Sequence, residues 1–154
     1  MWSQPAGAVY GTISVGVLLA AESVLQETYL ATLASVVITL FMYVLAHAYA
    51  GYAGHRLESG EPIRLAGFGR EIRREAWLLA GAAGPLSALL ISWALGASLA
   101  TAVTVAVWTS AAVVLVIELV AGVRAGESGP DLAKQTALGA VLGALVIVLR
   151  LILH

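Results

Sequence analysis

Glu22, His47 and Glu118 are ionisable residues set in stretches that are otherwise apolar. Carboxylates and imidazoles ligate divalent metals and relay protons, and charge in hydrocarbon is costly enough to be kept for a use. The three are therefore the candidate metal-ligating residues. His47 falls near the inner end of the second apolar stretch and Glu118 in the last turns of the fourth. Counted at about 1.5 Å per residue, the two reach similar depths and meet if their helices touch. A carboxylate beside an imidazole would bind a cation or pass a proton. The structural alternative is a buried hydrogen bond, or side chains that reach the headgroups separately. Glu22, with Glu27, makes an acidic mouth at the outer end of the first stretch that would attract cations. His55 follows His47 by eight residues. On a regular helix that separates the two imidazoles by about 12 Å, too far to share one ion.

The elements that carry these residues are set by composition. Of 154 residues, 60% are hydrophobic and only 11% charged, with a mean hydropathy of +0.94. A soluble domain has about a quarter charged residues and covers its surface with them; this chain has too few. Its apolar residues also come in long runs rather than in stripes, the pattern of helices that are apolar all round and belong in a bilayer. We expect an all-α integral membrane bundle of five transmembrane helices over approximately 8–24, 29–50, 77–95, 99–121 and 136–153, with a cytoplasmic loop at 51–76. The first stretch lacks the basic lead of a secretory signal, so it is expected to be retained.

Basic residues orient the bundle. Arg56, Arg64, Arg70, Arg73 and Arg74 lie between the second and third spans, and Arg124 and Lys134 flank the connection of the fourth to the fifth. The other two connections carry no Lys or Arg. The positive-inside rule then places the N-terminus in the cytoplasm and His154 outside, in a cell (inner) membrane. Arg150 departs from this pattern and would snorkel from a helix end. Within the loop, Leu65, Phe68 and Ile72 alternate with Arg70, Glu71, Arg73, Arg74 and Glu75. This predicts either an amphipathic helix on the inner membrane surface or a solvated extension of the third span. Tyr43, Tyr49 and Tyr52 at this end are expected to anchor at the interface.

Other chemistries lack their residues. With no cysteine, disulfides and thiolate metal sites are excluded, and a net charge of −1 gives no basis for binding nucleic acid. No nucleophile elbow, Walker loop, HExxH or nucleotide fingerprint occurs, so an enzyme is not expected. Nor are histidines paired at matching depths on two helices for haem. Ser14, Thr39, Ser87, Ser92, Thr101, Thr104 and Thr109 are expected to bond to their own helix backbone. Gly7 with Gly11 and Gly139 with Gly143 allow close helix approach, and Pro85 removes one backbone hydrogen bond from the third span. Trp93 and Trp108 lie in mid-span and could line a lipid pocket between the third and fourth spans.

The opening Val9-Tyr10-Gly11-Thr12-Ile13 resembles the start of helix one in the vacuolar iron transporter family. Leu45-Ala46-His47-Ala48-Tyr49-Ala50-Gly51-Tyr52-Ala53-Gly54 resembles the end of that family's helix two, and the run to Glu58 and Glu61 the start of its cytoplasmic segment. Where that family has an acidic residue in helix one this chain has Ser14, and where it has Asp, Ser and Met in helix two this chain has His47, Ala50 and Gly51. The resemblance implies five spans, a homodimer, and a transport path between the first two helices with His47 beside it. The function expected is that of a small transporter-like membrane protein that binds or moves a divalent cation, with no resident cofactor. The alternative is a non-transporting structural or accessory membrane subunit.

Overall fold

The computed structural model describes residues 3–21, 28–60, 65–127 and 129–153, and the elements among them are all helices. They are α1 (Ser3–Ala21), α2 (Tyr29–Ser59), α3 (Leu65–Glu75), α4 (Trp77–Ala94), α5 (Leu99–Arg124) and α6 (Pro130–Leu153). By length and composition, four helical stretches could cross a membrane: Tyr29–Glu58, Ala66–Ala94, Leu99–Arg124 and Pro130–Leu153. Gly7–Ala21 is a shorter apolar helix.

Local chemistry sets the helix ends. The Thr28 hydroxyl accepts from the Ala31 amide at 3.3 Å and Ser98 from the Thr101 amide at 3.2 Å, each satisfying an orphan donor at a helix start. α2 stops at Gly60, whose φ of 68° is left-handed and whose amide donates to the Arg56 carbonyl at 2.9 Å. Ala76 keeps right-handed helical angles (φ −59°, ψ −21°), so α3 runs into α4 as its extension. The apolar side of α3 lies on the last turns of α2, with Phe68 against Tyr52 at 5.9 Å between ring centroids.

α1 is the hub of the bundle. It packs on α4, α5 and α6, and more lightly on α2, and its Val15 and Leu19 are fully buried. Two glycines bring α1 and α4 together. A Cβ on Gly11 would fall 2.8 Å from the Leu78 carbonyl carbon, and one on Gly81 would fall 2.7 Å from that of Ala8. Backbone therefore lies on backbone at this crossing. Gly139 and Gly143 bring α5 and α6 close, the first against the Glu118 side chain and the second against Ala111. Both small-residue pairs noted in the sequence are thus occupied within the chain.

A polar node ties the crossing. Pro85 has no N–H, so the Gly81 carbonyl one turn back loses its helical donor. The Thr12 hydroxyl of α1 reaches that carbonyl at 2.8 Å while also contacting its own Ala8 carbonyl at 2.9 Å. The Thr12 carbonyl in turn accepts from the Ser110 hydroxyl of α5, and Gly16 leaves the room for it, since a Cβ there would lie 2.6 Å from the Ser110 oxygen. Thr12 and Ser110 are 0% and 1% exposed, so in these helices polar groups are used for specific interhelical contacts. Thr104, Thr109 and Ser92 instead donate to their own helix one turn back, as expected.

The start of α2 is held separately. Tyr29 stacks on Trp93 at 5.5 Å and donates to the Ala97 carbonyl at 2.7 Å. Tyr29→Phe keeps the stack and loses the bond; thermal unfolding in detergent should show about 1 kcal/mol of destabilisation.

Candidate functional site

α2 is anchored at its two ends, by Tyr29 on α4 and by Tyr52 on α3. The Arg56 guanidinium carbon lies 5.7 Å over the Tyr52 ring and braces the second anchor. Between the anchors a groove of about 310 Å³ opens between α1 and α2, walled by Ile13, Val17, Leu18 and Leu40. Tyr10 and Ser14 on α1 and Thr39 and Tyr43 on α2 complete the lining, whose exposed surface is almost wholly apolar.

Helical spacing explains that lining. Thr39, Tyr43 and His47 are four residues apart, so they stand above one another on one face of α2. Tyr10 and Ser14 make the matching pair on α1. His47 continues the line one turn beyond the groove. Its ring stacks on Tyr43 at 4.7 Å and 23°, and stands 5.8 Å from Tyr10. The Tyr10 and Tyr43 hydroxyls are hydrogen-bonded to each other across the helices, with ring centroids 5.4 Å apart. His47 itself is exposed at this mouth. The arrangement is an apolar slot with the Tyr10–Tyr43 hydroxyl pair and the His47 imidazole at one end. Hydroxyl oxygens and an imidazole nitrogen can take over part of the hydration of a cation, and the imidazole suits a divalent transition metal.

Of the other sequence candidates, the structure describes Glu118 and places it on a different side of α1. α2 packs on α1, α3 and α4, whereas α5 packs on α1, α4 and α6. His47 and Glu118 therefore lie on helices that are not principal neighbours, and the meeting expected from their depths is not what the packing provides. The Glu118 side chain is half-buried on α6, where a Cβ on Gly139 would fall 2.7 Å from its Cγ. Glu22 and Glu27 lie outside the described residues, as does Glu61. Among the described residues no group of three or more His, Asp or Glu side chains is placed to hold a metal ion. His55 is exposed on the far extension of α2.

Tyr10, Ser14, Thr39 and Tyr43 were not read as site residues from the sequence. Tyr43 lines the groove, and Tyr52 packs on α3. The four-residue spacing of Thr39, Tyr43 and His47 was the available signal. Compared with family models, with curated proteins and with solved structures, the chain matches none.

Proposed function

We propose that the chain is a small transporter-like membrane protein of five spans, with its N-terminus cytoplasmic and its C-terminus outside in a cell (inner) membrane. In this reading it binds or moves a cation, a divalent metal first among them, along the α1–α2 groove. The observation that carries the reading is the file of Ser14, Thr39, Tyr10 and Tyr43 ending on the exposed His47 ring. In this reading α1 is the fifth span, and its packing against three of the long apolar helices supports that. One chain supplies one imidazole to this mouth, so solvent or the His47 of a second copy in a homodimer completes the ligand shell.

The test is a titration of Mn²⁺, Fe²⁺ and Zn²⁺ into the purified protein in detergent. Wild type binds one of these ions, and His47→Ala weakens binding by about tenfold or more, the loss of one charge-assisted ligand. Tyr43→Phe weakens it less. Glu118→Ala, on the α5–α6 side, leaves binding unchanged. Equal binding by wild type and His47→Ala removes the groove as a metal path and favours the non-transporting accessory role. Loss of binding in Glu118→Ala would instead restore that residue as a ligand.

A further inference from the structure

A second groove lies on the other side of the bundle, between α5 and α6. It has a volume of about 260 Å³ and is lined by Thr104, Val107, Trp108, Ile147, Arg150 and Leu151. Arg150 is three residues from the end of α6 at Leu153, and Thr104 is five residues from the start of α5 at Leu99. At about 1.5 Å per residue the guanidinium sits within a few ångströms of one membrane face, on the reading that these helices span a bilayer. This is the depth of lipid phosphates and glycerol esters. Below Arg150 the groove turns apolar through Val107, Ile147 and the 59% exposed Trp108.

From this gradient we infer that the α5–α6 groove is a binding site for one anionic phospholipid of the leaflet at the C-terminal end of α6. Arg150 holds the phosphate, and a guanidinium with five N–H donors can do so while keeping its contact inside the protein. The Trp108 indole, nine residues from the start of α5 and so deeper than Arg150, supplies an apolar face for an acyl segment. The inference rests on the multi-pass membrane reading, and is independent of His47 and the α1–α2 groove.

The experiment is native mass spectrometry of the detergent-purified protein with phosphatidylglycerol and phosphatidylcholine added in turn, after confirming that the protein partitions into the membrane fraction. A protein found outside the membrane fraction would overturn the spanning reading and the lipid site with it. For a membrane protein, one phosphatidylglycerol is retained per chain at energies that strip phosphatidylcholine. Arg150→Gln lowers the retained fraction about tenfold or more, Arg150→Lys lowers it less, and inorganic phosphate does not compete. Trp108→Ala, which leaves the cation in place, weakens retention of phosphatidylglycerol. Equal retention by wild type and Arg150→Gln overturns the site. Displacement of the lipid by inorganic phosphate overturns the lipid assignment in favour of a free-anion site.

Discussion

Gly81→Ala lowers the unfolding free energy in detergent by about 3 kcal/mol or more, although it adds one methyl group. The new Cβ would fall 2.7 Å from the Ala8 carbonyl carbon and 2.9 Å from its Cα. Both are backbone atoms of α1, so no side chain can rotate out of the way. The two helices must separate by roughly an ångström to reach ordinary van der Waals distance. Separation also stretches the 2.8 Å bond from Thr12 to the Gly81 carbonyl, one residue along from the Gly11 contact. Gly11→Ala meets the Leu78 backbone in the same way and should show a similar loss. The double substitution costs less than the sum, because the helices move apart only once. Gly69→Ala on α3 is the control: nothing lies within 4 Å of its Cβ, and alanine favours the helix by up to about 1 kcal/mol. If Gly81→Ala and Gly69→Ala shift the melting temperature alike, the α1–α4 crossing is not the close contact described.

How much of this was legible beforehand differs between elements and contacts. Thr28 and Ser98 lie directly before apolar runs and Gly96 directly after one, so these helix ends follow from local chemistry. The expected end of the first span, at Val24, lies outside the described residues. Which faces meet was not legible. Helices that are apolar on every side carry no stripe to say which side is inside, since lipid and protein interior are equally good solvents for leucine. Depth alone put His47 near Glu118, and depth is only one of the two coordinates needed. The azimuth comes from packing, and packing comes from glycines whose partners are backbone atoms far along the chain. The groove has the same character. Thr39, Tyr43 and His47 can be read as one face from their spacing, but their opposition to Tyr10 and Ser14 needs the α1–α2 pairing.

The Thr12 node yields the second large effect, and it can be isolated. Thr12→Val keeps the shape and removes the hydroxyl, leaving the Gly81 carbonyl without a donor in a site that is fully buried. Stability should fall by about 1–2 kcal/mol, the upper end for an interhelical hydrogen bond between membrane helices. The reason is Pro85: a residue with an N–H at that position would bond to the same carbonyl along α4. Pro85→Ala should therefore reduce the cost of Thr12→Val by about 1 kcal/mol, a coupling between residues on two helices that a double-mutant cycle reads directly. Ser110→Ala separates this account from a general loosening of the core. The Ser110 hydroxyl donates to the Thr12 carbonyl, which also lies one helical turn before the Gly16 amide and so keeps a donor when the hydroxyl is gone. Its substitution should destabilise less than Thr12→Val and show no coupling to Pro85→Ala. If Pro85→Ala rescues both variants equally, proline acts through the bend of α4. If it rescues only Thr12→Val, the threonine is the donor that allows a proline at the centre of the bundle.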